Sequence, residues 1–433
     1  MKQIISLMIV VNLFVASTAN AAVSDEEFQQ LREQLVSISQ RLDELAAENA
    51  ELRAAHRQTA GAPGDADATT VVTQAMEVPA PVDSWSKRIA LDGDFRYRYE
   101  RISPEDSDTR TRNRIRARAN IRADVADNTE VGFGLATGGE DPVSTNQTLG
   151  SGGSSKGVVL NLAYVDWKAT DGLHLLAGKF KNPLMRVGGQ PLSWDGDWTP
   201  EGLALKYRRN WFFANVLGNY FESDTSRDND NLSWGGQVGA SGTIGGIKLA
   251  GGLGYYSIPT QGETTTFGDP TDPADFFGNT AIEPGGLPCG TTPDTECQYL
   301  YDYDLTQIFA EASFELGEWP AIVFFDYFNN SDASENDTGW ILGTKLGQAK
   351  DRGQMQFTYY YADKGADSML GLVTDSDFGG GGTDSKGHWL QFNYGVNKSW
   401  TIGAQYFINE VNLASGSKSD YNRLMIDMQW KWK

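Results

Sequence analysis

Residues 108 to 122 read DTRTRNRIRARANIR, which places arginine at 110, 112, 114, 116, 118 and 122. Only Asn120 interrupts the every-second-residue rhythm, and Ile115, Ala117, Ala119 and Ile121 fall between the charges. A row of guanidinium groups can grip phosphate or carboxylate, steer anions, or line a body of water. In a helix the six would scatter over more than half the circumference and leave Ile115 and Ile121 no apolar stripe. In a strand they share one face, with successive groups ~6.6 Å apart. Turned to lipid, each would cost roughly 2–4 kcal/mol near the midplane, so the face must be wet. Neighbouring charges at that spacing in bulk water repel by only about 0.6 kcal/mol. Two wet surfaces fit: a nucleic-acid groove, or the inner wall of a pore. The formal charge of −21 opposes the first, because phosphate neutralisation needs a favourable surrounding field.

The preceding segment, LDGDFRYRYE, repeats the rule. Leu91, Phe95, Tyr97 and Tyr99 face one way, and Arg96 and Arg98 lie among Asp92, Asp94 and Glu100 on the other. A hairpin through 101–109 sets these arginines beside the longer ladder. The pore-lining set is therefore Arg96, Arg98, Arg110, Arg112, Arg114, Arg116, Arg118 and Arg122. Counter-charge is on offer in NPLMRVGGQPLSWDGDWTP (182–200), which carries Asp195 and Asp197, with Glu201 just after. Its glycines and prolines suit a shaped loop. Folded into a barrel against the arginines, it makes a narrow, transversely polarised constriction of the kind that sorts ions and small polar solutes. The alternative is a rim cap whose aspartates make local turns or hold a cation such as Ca²⁺.

Other reactive residues are few. His56, His174 and His388 fall in separate predicted elements, and there is no G-x-S-x-G or paired metal motif. Catalysis is therefore not expected, nor is a cofactor. Cys289 and Cys297 share the segment GLPCGTTPDTEC, and two thiols closing a short loop in an oxidising compartment read as a disulfide. No nearby histidine completes a metal set.

Composition then limits the elements that can position these groups. The chain has 433 residues, 48 glycines, 11% aromatic and 40% hydrophobic residues. Past the N-terminus no apolar run approaches the ~18 residues of a spanning helix, and a membrane protein without one must be a closed β-barrel. From residue 89 onward, segments of about ten residues are joined by connections that alternate short and long. The short ones are near 127–130, 170–172, 209–210, 243–246, 317–320, 347–353 and 397–399. The long ones are near 101–109, 138–157, 182–199, 223–230, 259–300, 329–337, 363–386 and 411–419. This pattern predicts about 16 antiparallel strands with both ends on one side.

The strands alternate as lipid and lumen require. Phe212, Ala214, Val216, Gly218 and Tyr220 are set against Phe213, Asn215, Leu217 and Asn219. Leu424, Ile426, Met428, Trp430 and Trp432 are set against Arg423, Met425, Asp427, Gln429 and Lys431. Trp167, Trp211, Trp400 and Trp432 suit interfacial girdles. VVLNLAYVDWK (158–168) fits two registers equally.

Ahead of the barrel lie three further segments. Residues 1–21 read as an export signal, with Lys2, an apolar core and an A-x-A site near Ala21. Residues 22–58 contain a heptad seam (Phe28, Leu31, Leu35, Ile38, Leu42, Leu45, Asn49, Leu52), read as a periplasmic coiled-coil helix for self-association. One amphipathic helix packed on its own domain is the alternative. Residues 59–86 are small, polar and proline-containing, a flexible linker. The expected fold is thus an all-β transmembrane barrel over 87–433 with an N-terminal coiled-coil segment.

With the arginine strand RTRNRIRARANIRADV in view, three further stretches carry a resemblance. They are LATGGEDPVSTNQTLG (135–150), LNLAYVDWKATDGLHLLAGKFKNPL (160–184) and WDGDWTPEGLALKY (194–207). In these the chain resembles an outer-membrane porin family of Gram-negative bacteria that is named mainly from sequence. The resemblance spans most of 89–433 and implies a 16-stranded pore that assembles as a homotrimer. LAGKFKNPL also resembles a strand of the phosphate- and polyphosphate-selective porins, in which an arginine and lysine ladder guides anions. Many such barrels end on an aromatic residue, whereas here Lys433 follows Trp432.

The functional expectation is an outer-membrane porin for passive diffusion of ions and small polar solutes, anion-favouring through its arginine-lined lumen. Its surroundings would be outer-membrane lipid and lipopolysaccharide, with peptidoglycan contact through the coiled coil and no nucleic acid. The alternative is a barrel serving as scaffold, adhesin or peptidoglycan-linking structural protein.

Overall fold

The computed structural model describes residues 85–224 and 229–433. The expected signal peptide (1–21), coiled-coil helix (22–58) and nearly all of the linker (59–86) lie outside the described residues.

A short 3₁₀ turn, Trp85–Arg88, leads into sixteen long strands. The first six are β1 (Ile89–Pro104), β2 (Arg110–Ala126), β3 (Thr129–Thr137), β4 (Val158–Thr170), β5 (Leu173–Lys179) and β6 (Glu201–Arg209). Then come β7 (Phe212–Asp224), β8 (Asn229–Ile244), β9 (Ile247–Ile258), β10 (Tyr303–Leu316) and β11 (Trp319–Asn330). The last are β12 (Thr338–Gly347), β13 (Met355–Lys364), β14 (Ser385–Asn397), β15 (Trp400–Val411) and β16 (Ser419–Trp432). Each pairs antiparallel with the next, and β16 returns to β1 with register from Gly93↔Trp432 to Pro104↔Tyr421. The closed sheet leaves no edge whose backbone groups would go unpaired in lipid. Two of the expected long connections are trimmed, because β1 runs on to Pro104, β2 starts at Arg110, β7 reaches Asp224 and β8 starts at Asn229.

The outward face is apolar where lipid lies. Leu91, Ile121, Phe133, Leu203, Val238, Leu253, Ile308 and Leu342 are all exposed on it. Trp167, Trp211 and Trp432 are exposed at the short-turn end, where Trp400 also stacks on Trp430 with ring centres 5.3 Å apart. Tyr220, Trp234 and Tyr255 are exposed towards the loop end, so aromatic belts flank the apolar band. β4 uses both of its candidate registers. Leu135 pairs with Leu160 and Phe133 with Ala163, and a bulge between them switches the outward set. Val158 and Leu160 point out before the bulge, and Trp167 points out after it.

The inward face is not uniformly polar. On β7 through β12, Phe213, Leu217, Tyr256, Phe309, Phe324, Phe328 and Ile341 are buried inside the barrel. They pack against Leu184, Val187, Leu192, Trp194 and Trp198 of the 180–200 loop. Trp194 lies 4.9 Å from Tyr256 and 5.5 Å from Trp198, ring centre to ring centre. Side chains of this size contribute about 1.5–3 kcal/mol each on full burial, enough to hold a loop against the wall.

The two faces predict opposite responses to added charge. Leu342→Arg, on the lipid side in the middle of β12, should lower stability by about 2–4 kcal/mol in urea unfolding from vesicles. Gln391→Lys, on the lumen side, should cost less than about 1 kcal/mol. Equal losses would show that the assignment of faces is wrong.

Candidate functional site: a charged constriction inside the barrel

Register places the arginines of β1 and β2 opposite one another: Asp94↔Arg118, Arg96↔Arg116, Arg98↔Arg114 and Glu100↔Arg112. Like charges face each other across two of these pairs, which is unfavourable without counter-charge. Carboxylates supply it. Arg116 and Arg118 both bond Asp94, at 2.9 and 2.7 Å, and Arg112 pairs with Glu100. Arg98 bonds Asp427 of β16 at 2.7 Å, and β16 adds Arg423, which also holds Glu100.

The 180–200 loop runs into the barrel and crosses it. Gly188 donates its backbone N–H to Glu311 of β10 at 2.7 Å. Gln190 donates to Asp326 of β11 at 3.0 Å, and Gln307 donates to the same carboxylate at 2.7 Å. Gln237 continues this chain, donating to Gln307 and accepting from the Met185 backbone N–H at 2.6 Å. Each buried polar group in the chain thereby finds a partner, the condition under which such networks rigidify rather than destabilise. At its other end the loop presents Asp197 to Arg118 at 2.8 Å and to Arg116 at 3.4 Å.

Two further loops enter the lumen. From 138–157, Thr145 donates to Asp197 at 3.2 Å, and Asn146 and Ser144 accept from Arg96 and Arg114. From 365–384, Asp377 bonds Arg98 at 3.1 Å and Arg423 at 2.6 Å. The 180–200 and 365–384 loops also join directly, Asp195 N–H to Val373 carbonyl at 2.9 Å. Beside them is a cavity of about 350 Å³, bordered by Arg96, Arg98 and Arg116 on one side. Gln391, Gln405 and Gln429 of β14 to β16 border it as well.

Four aspartates from two loops meet here in unlike electrostatic settings. Burial alone raises Asp197, but Arg116, Arg118 and Arg96 more than offset it and hold this carboxyl below the usual range. Asp377 behaves likewise, with Arg423 and Arg98 overcoming burial. Asp195 is lifted well above the usual range by burial, then by Asp375 and Asp197. Asp375 is raised to about 6 by burial, with Asp377 adding repulsion.

The sequence-predicted residues divide accordingly. Arg96, Arg98, Arg112, Arg114, Arg116 and Arg118 come together on one wall. Arg122 lies nearer the short-turn end with Asp92 at 3.1 Å, and Arg110 sits exposed at the loop end. Asp197 meets the arginines, and Asp195 lies behind it on the cavity. Glu201 does not belong with them. It is the first residue of β6, shares the outward parity of Leu203, and bonds Lys179 at 2.7 Å. Cys289 and Cys297 are joined as a disulfide in the 259–302 connection, with Cys297 buried in the hydrophobic cluster that also holds Trp194 and Trp198. His174 bonds Asp166 at 2.8 Å and His388 bonds Tyr359 at 2.9 Å, on different strands, and His56 lies outside the described residues. No group of metal-binding side chains forms among the described residues.

Sequence reasoning missed the 365–384 loop, whose Asp377 neutralises two arginines. The available signal was the apolar run MLGLV (369–373) inside an otherwise polar connection. It also missed Arg423 and Asp427, which lay on the inward face of the last strand with nothing to mark them as partners of β1.

A closed antiparallel barrel with an apolar belt outside and an inward-folded loop facing a charged wall defines a membrane porin. The chain belongs to the family described as "Putative porin", which matches residues 103–257 and 294–432. No curated protein matches it in sequence. Among solved structures, the high-pH structure of Pseudomonas putida OprB is similar at TM-score 0.52 and 12% identity, covering 80% of this chain and 95% of that one. The Salmonella typhi OmpF complex with daunomycin aligns at TM-score 0.46 and 11% identity, over 79% of this chain and 97% of that one. The likeness to OprB is one of fold.

The seating of the constriction loop is testable at Gly188. Its φ is +60°, and a Cβ there would lie 2.3 Å from the Phe324 ring. Gly188→Val should therefore cost about 1–3 kcal/mol locally and push the loop off the wall. The expected readout is larger single-channel conductance in planar bilayers. Unchanged conductance would mean that this loop does not limit the pore.

Proposed function

We propose that the protein is a passive channel for ions and small polar solutes in the outer membrane, and that its arginine wall makes it favour anions. The observation that carries this reading is the cluster of guanidiniums facing a cavity inside a membrane barrel. Seven guanidiniums, Arg96, Arg98, Arg112, Arg114, Arg116, Arg118 and Arg423, stand against five bonded carboxylates, Asp94, Glu100, Asp197, Asp377 and Asp427. The remaining constriction carboxyls, Asp195 and Asp375, are shifted towards protonation. A low-dielectric wall concentrates such a field and raises the local density of the opposite ion. The formal charge of −21 does not oppose this, since many carboxylates sit in exposed connections, Glu105, Asp106 and Asp108 among them. The eight residues named from the sequence line the water path in this reading, with those of the constriction setting selectivity. In this reading the barrel assembles as a homotrimer, which the family resemblance supports, and sits among outer-membrane lipid and lipopolysaccharide. The N-terminal segment is assigned to the periplasm, where a coiled coil has access to peptidoglycan.

Reversal potentials across a salt gradient test the selectivity. Arg114→Ser with Arg116→Ser should lower the chloride-to-potassium permeability ratio several-fold, and an unchanged ratio would remove the ladder from the conduction path.

A second expectation comes from the loop carboxyls. As pH falls through about 6, Asp375 takes up a proton and the constriction loses negative charge. Anion preference should therefore rise between about pH 7.5 and about pH 5, and Asp375→Asn should flatten that step. An identical pH profile in the variant would assign the titration elsewhere.

A further inference from the structure

The guanidiniums of the constriction are not equivalent. Arg98, Arg112, Arg116, Arg118 and Arg423 each bond at least one carboxylate. Among the described residues Arg96 and Arg114 bond none. Each meets the tip of the 138–157 loop instead. Arg96 Nη2 donates to Asn146 Oδ1 at 2.6 Å, and Arg114 Nη2 donates to Ser144 Oγ at 3.3 Å. Asn146 Nδ2 in turn donates to Ser144 Oγ at 3.1 Å, so one neutral pair spans both arginines. The Nε atoms of Arg96 and Arg114 are buried and make no hydrogen bond within the protein.

Physical chemistry makes this arrangement exceptional on its wall. Guanidinium stays protonated at any physiological pH, so the charge cannot be relieved by losing a proton. A partly buried cation held only by neutral acceptors keeps an unbalanced field, because amide and hydroxyl oxygens bind it less strongly than a carboxylate does. At the other five arginines an incoming anion would have to compete with a carboxylate fixed in the wall. At these two it competes with a serine hydroxyl and an asparagine amide. The two arginines are also diagonal neighbours across β1 and β2, Arg96 lying opposite Arg116 and Arg114 opposite Arg98. Diagonal positions of this kind are ~7–8 Å apart, close enough for long side chains to share one small ligand. Arg96 and Asn146 border the 350 Å³ cavity, and Gln391, Gln405 and Gln429 offer it amide groups that can hydrogen-bond the rest of a polar solute.

We propose that Arg96 and Arg114, with Asn146 and Ser144 beside them, form an oxyanion-binding station in the constriction, where a solute bearing a carboxylate or phosphate group pauses as it crosses. This rests on the channel reading above and adds a discrete, saturable site to it. The neutral pair keeps the arginines in place between occupants and is weak enough to yield. Carboxylates at neighbouring arginines keep the total field low enough for release, which conduction requires as much as binding.

Full-length protein in planar bilayers, carrying chloride current in fixed potassium chloride, tests this with added inorganic phosphate or gluconate. The expected result is a block that saturates with concentration. In Arg96→Gln and, separately, Arg114→Gln, the half-blocking concentration should rise about tenfold. Arg96→Lys, which keeps the charge but loses the planar fork, should fall between wild type and Arg96→Gln. Block by phosphate alone or by gluconate alone would assign the station to that class of solute. If wild type conducts but neither anion blocks saturably, or if both glutamine variants block like wild type, the station is overturned and the channel reading stands. If wild type passes no current, the channel reading itself fails.

Discussion

Hydrocarbon offers no hydrogen bonds, and every other feature of this protein follows from that constraint. A sheet crossing lipid must pair all its backbone groups, so β16 returns to β1 and the sheet closes. Closure creates an interior, and only there can the charged residues of β1 and β2 be placed without a penalty of several kcal/mol each. The same register that closes the sheet aligns Arg96 with Arg116 and Arg98 with Arg114, so the barrel concentrates like charge on one wall. Loops must then bring the counter-charge, because the strand face has too few carboxylates of its own.

The interior divides by what it holds. On β7 to β12 the inward side chains are largely aromatic and aliphatic, and there the 180–200 loop docks as it would in the core of a soluble domain. Gln237, Gln307 and Asp326 run through that apolar patch as a satisfied polar line that sets where the loop sits. On β1 and β2 the wall is charged, and β14 to β16 add the amides of Gln391, Gln405 and Gln429 alongside the buried Trp389, Phe407 and Met425. The loop is thus anchored on one side and presents Asp197 to the other. Without the apolar patch there would be no reason for a connection rich in glycine and proline to hold one place in water.

Neutralisation is deliberately uneven in its chemistry. Aspartates from two loops stay charged where guanidiniums surround them, and two others are shifted towards protonation where burial and like charge dominate. Two arginines are left to neutral partners. A constriction built this way has both fixed ion pairs that shape it and a few groups free to respond to solute or pH.

Much of this was legible in the residues themselves. Two-residue alternation, aromatic strand ends and regularly spaced turns determine a closed barrel of sixteen strands, because lipid permits so few solutions that local pattern is nearly sufficient. The wet side of the arginine strand was legible for the same reason. The register of 158–168 was not, since a bulge lets the strand use both readings, and local alternation carries no record of its partner strand. Glu201 was misassigned because one residue decides whether a side chain belongs to a loop or to the outward parity of β6. The entry of the 365–384 loop, the pairing of Arg423 with Glu100 and Asp377, and the neutral partners of Arg96 and Arg114 were decided by tertiary structure alone. Each joins residues remote in sequence, and their distances depend on the curvature of the closed sheet and the docking of loops upon it. Pattern records which face a residue takes; only the folded barrel determines what it meets there.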